Sequence, residues 1–236
     1  MDPSDPNQHI SEVCTRWSRV LHPGQELPRY YGPVYRYLLG VTRDPAAAQE
    51  LANDFAVRFL EGKFKEATPE KGRLRDLIKK AVRNLAVDFW RKRQREKARP
   101  LTAEEDAHAS RFLTNPETEE FDIACRDDLL AQAWQALKNA EQTSGKPVFT
   151  VLKFKVDHPA MRSADLAQQV GNLLHKELTP ETVRQMLHRA RNLFADLLLQ
   201  ALAGVLGSSD PAALEKELID LKLLEYCKSA LDRRKK

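Results

Sequence analysis

Leu74, Leu77, Ile78, Ala81, Val82, Leu85 and Phe89 recur at three- and four-residue intervals, and that spacing predicts an α-helix with one apolar face packed into a core. The rest of this helix is basic. Between 71 and 99, twelve Lys and Arg stand against Asp76, Asp88 and Glu96, a local excess of nine. A packed helix carrying so much charge of one sign belongs against a polyanion, and nucleic acid fits best. The stretch 100–128 inverts the balance, with nine acidic residues opposed by Arg111 and Arg126. The whole chain nets only +4, so the segregation of charge says more than the total.

A chain of 236 residues has room for one large domain or two small ones. Cys14, Cys125 and Cys227 are far apart and have no metal-ligand spacing, which predicts a reducing, cytoplasmic setting. His158, His175 and His188 fall in different elements, so no metal site is expected. No Gly-rich phosphate loop, nucleophile signature or acid/base pair emerges; neither a cofactor nor an enzyme is predicted. Residues 1–8 are polar and lack the apolar core of a signal sequence. No apolar run approaches the roughly 20 residues of a membrane span.

Turn residues mark helix boundaries throughout, and the fold class expected is all-α. A Tyr-rich helix covers 27–41. Asp44-Pro45 supplies an N-cap and a first-turn proline for a second helix to about Leu60, with Ala48, Leu51, Ala52, Phe55 and Phe59 inward. Thr68-Pro69 opens the approach to the basic helix, which runs to about Arg99 and is stopped by Pro100. The acidic stretch holds two cap-like starts, at Thr102-Ala-Glu-Glu105 and Asn115-Pro116, and few large apolar residues; it reads as a linker with at most short helices. A helix over 127–140 follows, with Leu129, Leu130, Ala133, Trp134 and Leu137 inward. The β-branched run 148–156 suits a strand by composition but has no partner strand, and reads as a short buried helix. Ser163-Ala-Asp165 caps a short helix over 166–170, 171–178 is a rather long turn, and Thr179-Pro180-Glu181 caps a long basic helix to about Leu202. Two short helices, a turn and a basic helix make a helix-turn-helix pattern. After a break at 204–210, a single amphipathic helix with Leu214, Leu218, Leu221 and Leu224 in register covers 211–232. The domains expected are 1–26 (extension), 27–99, 100–122 (linker), 123–203 and 204–236 (extension).

Three constellations carry chemistry. On the basic helix, Arg75, Lys79 and Arg83 form an i, i+4, i+8 ridge that can track phosphates, Asn84 and Asp88 can reach base edges, and Phe89 and Trp90 offer rings on which bases stack. In Ala48-Gln-Glu-Leu-Ala-Asn-Asp-Phe55, Glu50, Asn53 and Asp54 form a polar patch opposite the Leu51/Phe55 stripe; alone it is any amphipathic helix. In Thr182-Val-Arg-Gln-Met-Leu-His-Arg-Ala-Arg191, Val183, Met186, Leu187 and Ala190 face inward. Thr182, Arg184, Gln185, His188, Arg189 and Arg191 remain outside, among them the types that read guanine, adenine and the thymine methyl.

In this order the three resemble a bacterial extracytoplasmic-function sigma factor of the sigma-70 superfamily. The 48–55 stretch resembles the region 2.2 motif A-E-D-L-x-Q-E-x-F. Arg83-Asn-Leu-Ala-Val-Asp88 with Arg91-Lys-Arg-Gln-Arg95 resembles the region 2.3–2.4 pattern R-N-x-x-x-D-x-x-R-R. The 182–191 stretch resembles T-V-x-x-x-L-x-R-A-R of region 4.2. Gln49 stands where the motif has an acid, and Asn53 and Asp54 replace Gln and Glu. Thr15-Arg-Trp-Ser18 and the extension over 204–236 resemble the expanded sigma-factor sets of Planctomycetes-like bacteria.

The resemblance implies an alternative sigma factor that binds core RNA polymerase and directs promoter recognition. It places Glu50, Asn53, Asp54 and Arg58 on the β′ clamp helices, and the β flap is a further expected contact of core polymerase. It gives the −10 element to the basic helix (Arg75, Lys79, Arg83, Asn84, Asp88, Trp90, Arg91, Arg93) and to the loop before it, where Phe64, Lys65, Lys71 and Arg73 are candidates to hold an extruded base. It gives the −35 element to Thr179, Thr182, Arg184, Gln185, His188, Arg189 and Arg191. The acidic linker would thread the polymerase's nucleic-acid channel. An anti-sigma factor or a regulatory kinase would be the controlling partner, and no membrane is involved. The alternative is a helix-turn-helix regulator without polymerase contact, from which the Glu50/Asn53/Asp54 patch distinguishes this chain. An RNA-binding or protein-interaction module would not need a separate helix-turn-helix.

Overall fold

A computed structural model of the protein describes residues 27–61, 74–96, 101–114 and 119–234. The Thr15-Arg-Trp-Ser18 segment, the loop candidates Phe64, Lys65, Lys71 and Arg73, the start at Thr68-Pro69 and the cap at Asn115-Pro116 lie outside the described residues. Within them the chain is all-α, with ten helices and no strand. It divides into two compact units, one ending at Cys125 and the other beginning at Arg126.

In the first unit, α1 (Leu27–Thr42) and α2 (Pro45–Leu60) pack on each other. Their connection is short because Arg43 takes a left-handed conformation (φ 54°). The Asp44 carboxylate then accepts from the amides of Ala46 and Ala47 (2.9 and 3.4 Å), with Pro45 opening the helix; both satisfy donors that a helix start leaves unpaired. Helix α3 (Leu74–Arg95) packs across both, burying Ile78, Val82, Leu85, Ala86 and Trp90.

The stretch expected as a linker is folded. Helix α4 (Ala103–Thr114) opens with a reciprocal capping box: Glu105 N donates to Thr102 Oγ1 (3.2 Å) and Thr102 N to Glu105 Oε2 (2.9 Å). It buries Ala109 and Phe112 and packs on α3. Helix α5 (Glu119–Ser144) begins eight residues before the start expected at Asp127, because Glu119, Glu120 and Asp122 suit the positive end of a helix dipole and Phe121 is an anchor. Phe121 is fully buried, edge-on to Tyr37 at 5.7 Å between centroids.

In the second unit α6 (Val148–Asp157), α7 (Ser163–Leu174) and α8 (Pro180–Leu206) pack together, with Leu137 of α5 in their shared core. The run with strand-like composition is thus the short helix expected. Its first turn is capped from α5, where the Glu141 carboxylate accepts from Thr150 N (2.9 Å) and Thr150 Oγ1 (2.5 Å). Trp134 lies against Phe149 and Phe194, with centroids 5.9 and 4.8 Å away.

The end of the chain differs from the single helix expected. It forms α9 (Pro211–Asp220) and α10 (Leu224–Arg234), both packed on α8. Lys222 is left-handed (φ 58°), Leu223 N donates to Leu218 O (2.8 Å) and Lys222 N to Ile219 O (3.0 Å). This is a Schellman turn with lysine in the place usually taken by glycine. Leu223 rather than Leu224 is therefore the buried residue after the break. Arg233 pairs with Asp196 of α8 at 2.8 Å. Cys227 is fully buried, and burial followed by the nearby Asp196 charge pushes its thiol pKa up to about 11. No single helix among the described residues is long and apolar enough to cross a membrane.

Candidate functional site

The first candidate surface is one face of α2. Glu50 and Asn53 are exposed there, while Asp54 and Arg58 are half-buried and joined by a bidentate pair (Arg58 Nε and Nη2 to the carboxylate, 3.1 and 2.7 Å). A solvent-accessible pair of this kind is worth about 0–1 kcal/mol, so its role is to hold two charges in register. Val57 and Leu60, exposed on the same face, were not singled out from the sequence. The signal was present, since both fall outside the Leu51/Phe55 stripe and so cannot be core. Four charged or polar groups around two exposed aliphatic residues suit a protein partner.

Behind that face lies a closed hydrogen-bond cycle. Gln49 Nε2 donates to Tyr31 OH (2.6 Å) and to Asn53 Oδ1 (3.0 Å), and Tyr31 OH donates to Asn53 Oδ1 (3.1 Å).

The second surface is the open side of α3. Lys80, Asn84, Asp88, Arg91 and Arg95 are exposed and recur at helical spacing along one stripe. Three of these were expected on the interface, and Lys80 and Arg95 join them. The ridge expected to track phosphates is elsewhere. Arg75 is buried and paired with Asp122 of α5 (3.2 Å), Lys79 bonds the other oxygen of the same carboxylate (2.6 Å), and the Arg83 guanidinium lies 5.8 Å from the Phe112 ring centroid. The physical reason is that the acidic stretch is folded beside α3, and its carboxylate and ring take up these cations. Trp90, expected to stack on bases, is buried edge-on to Phe89 and His108 (centroids 5.2 and 5.8 Å). Imidazole His108 in turn bonds Val41 O through Nε2 (2.8 Å). Arg93 is half-buried and pairs with Glu96 at 3.5 Å.

The third surface is the first half of α8. Thr182, Arg184, Gln185, His188, Arg189 and Arg191 are all exposed, while Val183, Leu187 and Ala190 are buried. Thr179 caps the helix, its Oγ1 accepting from Thr182 N (3.1 Å). Arg184 pairs with exposed Glu181 (2.5 Å) and Asn192 Nδ2 meets His188 Nε2 (3.1 Å). The turn before α8 is shorter than expected, because α7 continues to Leu174. It ends in a Schellman turn at left-handed His175 (φ 52°), with Lys176 N donating to Gly171 O (3.0 Å). Ser163 lies inside α7 and makes no cap; Arg162 is the N-cap residue.

Gly171 is the glycine that this turn requires. A Cβ there would lie 2.7 Å from Lys176 O. Gly171→Ala is expected to cost about 1–3 kcal/mol by forcing the turn away from Lys176 O; urea unfolding checks it. Among the described residues no group of three or more His, Cys, Asp and Glu is placed to hold a metal ion.

Comparison with known proteins bears on the first unit. No curated protein and no solved structure matches the chain. Residues 28–96 match the family model Sigma-70 region 2, which spans α1, α2 and α3 and therefore both candidate surfaces of that unit. The match assigns this segment, less than a third of the chain, to Sigma-70 region 2.

Proposed function

We propose that the protein is an alternative sigma factor of the extracytoplasmic-function type, in which the first unit binds core polymerase and the −10 element and the second reads the −35 element. The observation that carries this reading is the Sigma-70 region 2 match over a helical unit that presents a mixed face on α2 and a basic stripe on α3. On α2, Glu50, Asn53, Asp54 and Arg58 meet the β′ clamp helices, with Val57 and Leu60 as apolar neighbours. On α3, Asn84, Asp88 and Arg91 meet the −10 element, and Lys80 and Arg95 flank them on phosphates. Arg75 and Trp90, being buried, hold the helix in place instead. The second unit supports the rest through a tight turn followed by a helix with one half of its surface polar and basic. Its residues 179–191 enter the major groove, where Arg184, Gln185 and Arg189 read bases. The Glu181 contact to Arg184 is exposed and gives way to DNA at little cost. Control by an anti-sigma factor or a regulatory kinase belongs to the same reading.

The test uses the chain with core polymerase on promoter duplexes carrying single −35 substitutions. Arg184→Ala, Gln185→Ala and Arg189→Ala should each cost about 1–3 kcal/mol and relax preference at one base. Full retention of sequence preference by all three variants contradicts the assignment.

A further inference from the structure

We infer that Tyr31 and Gln49 are positioning residues that hold the Asn53 side chain with its Nδ2 amide turned outward, as the donor to an oxygen acceptor (a carboxylate or backbone carbonyl) on core polymerase. The inference rests on the proposed function and adds to it two residues behind the docking face and the hydrogen-bond sense of that face.

The cycle behind α2 uses every local donor in one direction. A glutamine side chain has two amide hydrogens. One goes to Tyr31 OH and the other to Asn53 Oδ1, and the tyrosine hydroxyl sends its single hydrogen to Asn53 Oδ1 as well. Tyr31 is 1% exposed, so the cycle is anchored in the core. Gln49 is half-buried and Asn53 exposed, which orders the three from inside to outside. Asn53 Oδ1 thus accepts two hydrogen bonds on the inner side, and Nδ2, which has no partner among the described residues, is left for a partner protein. A side chain already fixed by two bonds loses little freedom on binding.

The sense of the cycle depends on residue 49. A carboxylate there accepts but cannot donate, so it would repel Asn53 Oδ1. The Asn53 amide would then turn over, donate Nδ2–H inward and present Oδ1 outward. Gln49→Glu therefore converts the outward group from donor to acceptor without touching an exposed contact. Gln49 and Asn53 are also two of the positions at which the chain departs from the motif it otherwise resembles, and the cycle couples the two departures.

Two measurements on the full chain test this. The first needs no partner: hydrogen exchange of side-chain amides by NMR. Slow exchange at Gln49 and fast exchange at Asn53 are expected, with Asn53 becoming protected in Gln49→Glu; a rapidly exchanging Gln49 amide overturns the inference. The second is affinity for core polymerase. Gln49→Glu and Tyr31→Phe should each weaken binding roughly three- to tenfold, the scale of one hydrogen bond, and neither should weaken it further in the Asn53→Ala background. Equal losses with and without Asn53 would mean that the two residues act through helix packing, which overturns the positioning role alone. A wild-type chain that does not bind core polymerase contradicts the sigma-factor reading itself, and with it the partner assigned here.

Discussion

Phe121→Ala is expected to destabilise the first unit by about 3–5 kcal/mol, the range for removing a fully buried aromatic ring. The ring is 0% exposed and packs edge-on against Tyr37, itself 3% exposed. The loss therefore includes the buried apolar area, the aromatic pair and the cavity left behind. Next to Phe121, Asp122 binds Arg75 and Lys79 of α3, so loosening the ring also loosens the carboxylate that neutralises a buried guanidinium. Urea unfolding followed by circular dichroism reads the change directly. A shift below about 0.5 kcal/mol, as for an ordinary surface substitution, would mean that residues 119–125 are a tether after all.

Ending the chain at Gly207 is expected to remove cooperative unfolding of the second unit. Leu214, Leu218, Leu221, Leu223 and Leu231 of the extension are all buried. Arg233 is bonded to Asp196 on the half of α8 whose inner side is Ala195, Leu198, Leu199 and Leu202. Without α9 and α10 the apolar inner side of α8 meets water at about 25 cal/mol per Å². Leu214→Ala is the milder version, at about 2–5 kcal/mol. Thermal melts followed by Trp134 fluorescence distinguish the outcomes: a sharp transition at the wild-type midpoint in the truncated chain would make the extension a peripheral appendage rather than part of the fold.

Much of this was legible from residue patterns. Within the expected apolar stripe, Ile78, Val82 and Leu85 are buried in α3. The caps at Asp44, Thr179 and Asp210 make the side-chain bonds their residue types predict. Two misplaced boundaries share one physical cause. Helices α7 and α9 both end in Schellman turns whose left-handed residue is not glycine but His175 or Lys222. Nothing in the sequence punctuates those positions, whereas Gly171, which looks like a terminator, is needed inside the helix for close approach to Lys176 O. The basic ridge of α3 is illegible for a different reason. Periodicity shows that Arg75, Lys79 and Arg83 share a face, but which face is open depends on Asp122, 43 residues after Lys79, and on Phe112, 29 residues after Arg83, too far along the chain for any local pattern to reveal. The Asp54–Arg58 pair could be seen at i, i+4, while the Tyr31–Gln49–Asn53 cycle joins two helices and needed the fold.

The most direct measurement is run-off transcription with purified core polymerase from the source organism on that organism's genomic fragments, comparing the wild-type chain with Asp54→Lys. The substitution reverses one charge on the α2 face and breaks the Arg58 pair, leaving α3 and α8 intact. Discrete transcripts from the wild-type chain that fall at least roughly tenfold with the variant, about 1.4 kcal/mol or more of lost docking energy, are the predicted result. DNA binding by the wild-type chain without any core-dependent transcript would contradict the sigma-factor reading and favour a helix-turn-helix regulator.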